Sequence, residues 1–475
     1  MHLIDFIIIF VYIAAMLMVG LWFHRKNQSS EDYYVGGRKM TRWHLGLSVV
    51  ATDVGGGFSI GLGGLGFAMG LSGSWILFTG LIGAWLTAAV LIPRVYQIAF
   101  TSKFQTFPEM LSHHYGSRVA FWAGIISAIG YLGFTSSQIL AGAKLTSGTI
   151  DGLSVNNAAL IMGIIAVVYT ALGGIKAVIY TDTIQWTILL SGLIFVGVPF
   201  AVHSIGGLDV LRSSVDKEML SLTNIKGSVI INWAFSIIPI WFIGMTLYQR
   251  IYAASSQKEA QRAWFLAGLF EYPVMAFLGV FLGMMAKVAI DQGVVPAEAA
   301  IGIDQETAMP MMLKYILPTG ALGIILAAYF SAILSTADSC LMASSGNFVT
   351  DIFKIKKTGN TLKASQVMTF VLGGLALVLA LYMPSVLDLM LLSYSFMVSG
   401  LLAPVVGFIF FKSPKPQAGL SSMAAGAAVF AFFHFSGIEL PYGFDPVVPG
   451  VLASVFTLIV VQKSIKGLCR NNLPL

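Results

Sequence analysis

Charge is what this chain has least of. Only 10% of its 475 residues are Asp, Glu, Lys or Arg, where a soluble domain carries about 25%. Hydrophobic residues make up 57% and the mean hydropathy is +0.84, which excludes a water-soluble globular fold. Cysteine is nearly absent too. Cys340 and Cys469 are the whole supply, so a disulfide scaffold and a cysteine-based metal site are both excluded. Polar segments long enough to fold alone are also missing. The longest, at about 205–227 and 289–319, leave no room for an attached kinase, nucleotide-binding or receptor module.

What is present is a succession of apolar runs, each near the roughly 20 residues that cross about 30 Å of hydrocarbon. Thirteen can be marked: 3–23, 43–70, 75–97, 119–146, 156–173, 179–204, 228–248, 263–288, 320–350, 364–383, 386–411, 417–435 and 446–462. They are called spans 1 to 13 below. Span 1 carries Asp5 and lacks a basic leader and a small-residue cleavage site, so it reads as a retained helix. Basic residues set the orientation. With the N-terminus outside, 21 of the 27 fall on inner loops, Arg250 among them. The other six, including Lys144 and Lys314, fall outside or at outer helix ends. That is the positive-inside pattern for thirteen spans, N-terminus out and C-terminus in. The net charge of +6 therefore follows from topology and is no argument for nucleic acid.

Span 2 holds the most unusual stretch, Ala51-Thr-Asp-Val-Gly-Gly-Gly-Phe-Ser-Ile-Gly-Leu-Gly-Gly64. A carboxylate at the centre of a membrane helix costs about 2.5–3.5 kcal/mol on insertion scales. Asp53 beside Gly55, Gly56 and Gly57 reads as a helix broken around something polar. Span 7 carries Pro239 and Gly244, so it is a second broken helix. Paired interruptions at corresponding positions of two halves mark the binding site of inverted-repeat transporters. Helix packing through small residues is the competing explanation for the glycines. Gly61-Leu-Gly-Gly-Leu-Gly66 matches a dinucleotide fingerprint, but no strand or βαβ unit surrounds it.

Buried acids are few: Asp53, Asp182 in span 6, Glu271 in span 8, Asp338 in span 9 and Asp388 at the start of span 11. Asp182 and Asp388, near helix ends, can also be caps or snorkelling groups. Span 9 adds a hydroxyl stripe, since Ser335, Thr336 and Ser339 share a face at helical spacing with Asp338 on its flank. Hydroxyl and carbonyl oxygens suit a hard monovalent cation, whereas zinc or copper would want His and Cys. The adjacent His113-His114 points two ways and makes no metal site. Interhelical hydrogen bonding explains such a stripe equally well.

These residues combine into a resemblance. Leu334-Ser-Thr-Ala-Asp-Ser-Cys-Leu-Met-Ala-Ser-Ser345 with Thr350-Asp-Ile-Phe353 resembles the signature helix of the sodium:solute symporters. Ala171-Leu-Gly-Gly-Ile-Lys-Ala-Val-Ile-Tyr-Thr-Asp-Thr-Ile-Gln185 is similar to that family's motif leading into span 6. Tyr34-Val-Gly-Gly-Arg38, Phe107-Pro-Glu-Met-Leu111 and Tyr248-Gln-Arg250 fit as well. The resemblance implies an all-α integral membrane protein of about thirteen helices with a LeuT-type core of two inverted five-helix repeats. On that reading the single transporter domain, 1–475, divides into four parts. A leading helix and inner loop occupy 1–42, the first repeat (spans 2–6) 43–205, the second (spans 7–11) 206–411, and two terminal helices 412–475.

The resemblance further implies a sodium site from the carbonyls of Ala51, Val54 and Ala332 with the hydroxyls of Ser335 and Thr336. A second sodium would lie among Asp182, Ser339 and Asp338, with a proton shared between the Asp182 and Asp338 carboxylates as the alternative. The solute pocket or gate is expected from Asp53, Gly55, Gly56, Gly57, Phe58, Phe78, Tyr131, Gln138, Trp233, Trp241 and Tyr394. Asp53 matches the proline-transporting branch, while Val54-Gly-Gly-Gly57 is similar to the choline-type branch. The expected activity is sodium-coupled import of a small organic solute across the plasma (inner) membrane, an amino acid such as proline favoured. A quaternary amine, sugar or carboxylate, or coupling to protons through Asp53 or Asp338, stays open. No enzyme is expected: an Asp182–Asp338 dyad could mimic an intramembrane protease, but its surroundings fit one poorly. A sensory role would need an output module, and only about 13 residues follow span 13. Expected partners are the solute, sodium ions and the bilayer; protein partners are not specified by the sequence.

Overall fold

The structure, a computed structural model, describes residues 1–26, 35–173, 175–355 and 359–465. Tyr34, Gly174, Lys356, Lys357, Lys466, Cys469 and Arg470, which entered the motifs and charge pattern above, lie outside the described residues. Every one of the thirteen apolar runs is helical, and no strand occurs among the described residues. Nine helical stretches there are long and apolar enough to cross a membrane, and the bent pair Gly227–Ile243 with Met245–Ala253 makes a tenth. One of the nine, Arg42–Ser102, holds spans 2 and 3, joined at the left-handed Gly70. Leu3–Met16 and Val155–Ala171 are shorter apolar helices.

Span 9 (Ala321–Ile352) sits at the centre and is almost wholly buried. Spans 2 (Arg42–Met69), 4 (Ser117–Thr149) and 6 (Val178–Ser204) pack directly on it. Spans 10, 12 and 13 are apolar on all sides and leave about two thirds of their apolar windows facing outward, as lipid-facing helices do. Span 1 is fixed at its start. Asp5 is buried, and its Oδ1 accepts the backbone N–H groups of Gly320 (2.8 Å) and Gly323 (3.0 Å) at the start of span 9. A carboxylate there satisfies orphan donors and complements the helix dipole.

Three spans are broken. In span 2 the break is at Gly55, with φ 41° and ψ −154°. Span 7 bends by 41° at Gly244. A third break, not anticipated from the sequence, interrupts span 8 (Gln257–Asp291) at the extended Tyr272 before Pro273. Proline there removes a backbone donor and clashes with the preceding turn.

One end of the bundle is covered by the helix Gln305–Ile316, which packs on spans 2, 4 and 8. Asp304 caps this helix, accepting from Glu306 N at 3.0 Å. Lys144 reaches from span 4 to both Asp304 and Glu306. Glu306 also accepts the N–H groups of Val386 and Leu387 at 3.0 Å each, where span 11 begins. Lys144, expected at an outer helix end, is thus a buried ion-pair partner. Nearby, the Lys314 ammonium holds the Asp151 carboxyl below its usual range. Asp388, in contrast, is exposed in the first turn of span 11, which Ser385 caps.

Two outcomes follow from these contacts. Lys144→Met strands the Glu306 carboxylate and should cost about 3–5 kcal/mol, read as a lower thermal midpoint of the purified protein. Lys144→Met with Glu306→Gln should recover part of that loss. At Gly55, any side chain meets a forbidden conformation and a Cβ 2.5 Å from Thr336 Oγ1. Gly55→Ala should therefore destabilise by about 1–3 kcal/mol from backbone strain alone, with overpacking added. An unchanged thermal midpoint would put the break somewhere other than Gly55.

Candidate functional site

The break in span 2 decides the geometry. A helix that changes direction at Gly55 loses hydrogen bonds around it, and the freed groups must find partners inside the protein. Ser59 donates to the Gly55 carbonyl from within span 2, and two side chains of neighbouring spans supply the rest. Gln138 of span 4 accepts the Gly56 N–H at 2.8 Å. Thr336 of span 9 places its Oγ1 2.9 Å from the Ala51 carbonyl and 3.1 Å from the Ala332 carbonyl. A Cβ on Gly56 would lie 2.6 Å from Ile333, and one on Gly57 2.5 Å from Met390. The glycine run therefore lets spans 4, 9 and 11 close on the backbone of span 2.

Of the expected sodium ligands, Ala51, Ala332 and Thr336 meet in this cluster. Val54, buried, is the last residue before the break. Ser335 directs its hydroxyl proton to Asp182 Oδ1, which leaves its lone pairs free to accept. The set offers neutral oxygens from both sides of the span 2–span 9 contact.

The expected second sodium position is built differently. Arg250, placed on an inner loop by the charge pattern, is fully buried. It lies on Met245–Ala253, the segment after the bend in span 7, so position along the chain misjudged its depth. Its Nε donates to Ser48 at 2.9 Å and Nη1 to the Thr246 carbonyl at 3.2 Å. Nη2 reaches Ser339 at 3.0 Å, Asp182 Oδ2 at 3.5 Å, and Thr52. Asp182 is fully buried as well, accepting from Ser335, Ser48 and Arg250. Asp338 does not join Asp182 and Ser339. One residue is about 100° of rotation on a helix, and the Asp338 carboxylate instead accepts from Thr170 of span 5.

Between spans 2, 4, 7 and 11 lies a small cavity of about 10 Å³, room for a single water. Of the residues expected in a solute pocket, Asp53, Tyr131 and Tyr394 line this cavity, together with Thr52, Phe134 and Thr246. Ile240, Gly244 and Leu247 of the bent span 7 complete the wall. Tyr131 joins spans 4 and 7: its hydroxyl lies 3.1 Å from Thr246 Oγ1 and accepts the Thr246 N–H at 3.2 Å. The other expected pocket residues lie apart from this cavity. Gln138 holds the break instead, and Phe78 packs edge-on to Trp75 and Tyr272. Trp241 lies against Gly83 of span 3. Phe58 is fully buried and Trp233 nearly so, neither on the cavity wall.

Asp53 has Glu271 of span 8 as its neighbouring acid. Asp53 Oδ2 and both Glu271 oxygens are buried without a hydrogen-bond partner. The sequence reading missed Thr52, Phe134, Thr246 and Arg250. Three of the four had a signal: Thr52 adjoins Asp53, and Thr246 and Arg250 follow the Gly244 bend that the sequence had already marked.

Comparison with known proteins agrees with this geometry. The chain is 27% identical over 415 residues to sodium/glucose cotransporter 1 of Oryctolagus cuniculus, covering 78% of this chain and 61% of that protein. It is 26% identical over 470 residues to the high-affinity proline transporter PutP of Bacillus subtilis, covering 94% and 95%. Among solved structures, an outward-open, substrate-bound Na⁺-coupled sialic acid symporter superposes with a TM-score of 0.79 at 20% identity, covering 98% of both chains. That likeness establishes the LeuT-type fold. The sequence model of the sodium:solute symporter family matches residues 33–426. Broken helix, hydroxyl-bearing central helix and family match coincide on the same residues, and the chain belongs to the sodium:solute symporter family.

Proposed function

We propose that this protein imports a small amino acid such as proline together with sodium, by alternating access. The observation that carries the reading is Thr336 bridging the Ala51 and Ala332 carbonyls across the Gly55 break. A cation held by Ala51, Val54, Ala332, Ser335 and Thr336 ties span 2 to span 9 and fixes the break in the geometry that receives solute. Without the cation the same oxygens are held only by hydrogen bonds, which leaves the two helices freer to part.

The cavity supports a zwitterionic solute. Asp53 is an acceptor for an ammonium group, and Tyr131 and Thr246 are polar partners. Phe134 and Tyr394, in edge contact at 5.0 Å, give an apolar wall for ring methylenes. Admitting the solute widens the cavity, and the bends at Gly55 and Gly244 are where that movement takes place. The proline transporter among the relatives adds to the case for proline. The glucose and sialic acid carriers among them mark sugars as the competing class. The protein sits in the plasma membrane with its N-terminus outside.

Energetically, one sodium ion moving down about 100 mV supplies about 2.3 kcal/mol. A tenfold sodium gradient adds about 1.4 kcal/mol, so a neutral solute can be held at roughly 500-fold accumulation.

The test is radiolabelled proline uptake into proteoliposomes with an inward sodium gradient, at fixed membrane potential and varied pH. Uptake should require sodium. Ser335→Ala and Thr336→Ala should each weaken apparent sodium affinity by about tenfold or more, as expected for losing a charged-group contact. Asp53→Asn should raise the proline concentration needed for half-maximal uptake. Sodium-dependent uptake of sugars but not proline would move the solute class. Uptake indifferent to sodium and driven by a pH gradient would overturn the ion.

A further inference from the structure

We infer that Arg250 is a built-in cation that takes the place of a second sodium ion, so that the carrier binds one sodium per cycle. The inference rests on the sodium-symport reading and concerns its stoichiometry. The side chains expected to hold a second sodium are Asp182, Ser339 and Asp338. Two of the three are already committed to the Arg250 guanidinium, with Nη2 at 3.0 Å from Ser339 Oγ and 3.5 Å from Asp182 Oδ2. The third faces away, to Thr170.

The Asp182 carboxylate is largely engaged, with three donors on its roughly four lone-pair sites. Oδ1 accepts from Ser335, and Oδ2 accepts from Ser48 and Arg250. The charge balance points the same way. Arg250 and Asp182 are both fully buried, and a buried ion survives only when it is paired and hydrogen-bonded. The guanidinium supplies one positive charge to one negative charge. A sodium ion entering this cluster would meet a fixed cation within hydrogen-bond distance of the same oxygens, with no unpaired carboxylate oxygen on Asp182 to offset the repulsion.

The geometry of the fork matters as well. The Arg250 guanidinium reaches Ser48 and Thr52 of span 2, Thr246 on its own helix, Asp182 of span 6 and Ser339 of span 9 through all three of its nitrogens. A sodium ion would join oxygens from these spans and then leave. The guanidinium joins them permanently and carries the connection into span 7. Lysine, a single point charge, could not hold the same set.

The experiment counts radiosodium bound at saturation by the purified protein, with the thermal midpoint followed against sodium concentration in parallel. Wild type should bind about one sodium per protein, with a hyperbolic dependence of the midpoint. Arg250→Gln leaves Asp182 without a counter-charge and opens its oxygens and Ser339. That variant should bind about two sodium ions, with a steeper dependence of its midpoint on sodium. Arg250→Gln with Asp182→Asn should return to about one. Two sodium ions bound by wild type, or one bound by a folded Arg250→Gln variant, would overturn the inference. If Arg250→Gln does not fold, the wild-type and double-variant counts decide. No sodium bound by wild type would instead sink the symport reading itself.

Discussion

In the hydrocarbon core a helix may be broken only if every freed backbone group is given a new partner. The rest of this molecule is organised around meeting that demand at Gly55. The left-handed residue turns carbonyls and an N–H away from the helix axis. Gln138 accepts the N–H, and Thr336 bonds the Ala51 carbonyl. These substitutes come from spans 4 and 9, so the break cannot be accommodated without both neighbours in place. Repair of the backbone and construction of the site are therefore one event. Thr336, which satisfies the Ala51 carbonyl of span 2, is also one of the hydroxyls proposed to hold a small hard cation.

Charge obeys the same economy. The two buried cations among the described residues are Lys144 and Arg250, and each holds several helices together. Lys144 fastens the helix Gln305–Ile316 and the start of span 11 to span 4. Arg250 gathers spans 2, 6, 7 and 9 on the other side of the break. Between these clusters lie Asp53 and Glu271, two buried acids with unpartnered oxygens. The buried cations are paired with acids toward both ends of span 2, whereas the acids at its middle, beside the small cavity, have no cation against them.

The fold was largely legible because membrane constraints act on single segments. An apolar run must be a helix, and each of the thirteen is. The break in span 2 could be read from Asp53 within a glycine run, and that in span 7 from Pro239 and Gly244. The break at Tyr272 could not, because a lone Tyr-Pro within an apolar run resembles an ordinary tolerated proline. Arg250 was misplaced for a related reason. The positive-inside rule counts charges along the chain, but the bend at Gly244 carries the following segment back into the protein. Pocket membership was least legible. Tyr131 and Tyr394 line the cavity while Phe78 and Trp241 do not, and their helical phase alone gives no distinction. That choice is made by which helix faces which, a property of the assembled bundle.

The Asp5 cap on span 9 bears on how the molecule is made. The two partners of that contact are separated by 315 residues, and chains are synthesised at about 5–20 residues per second. Asp5 therefore waits on the order of 16–60 seconds for the helix it will cap. The central helix, with its row of hydroxyls, gains the cap that steadies its first turn only after most of the chain has emerged. The cap thus ties together two segments made far apart in time.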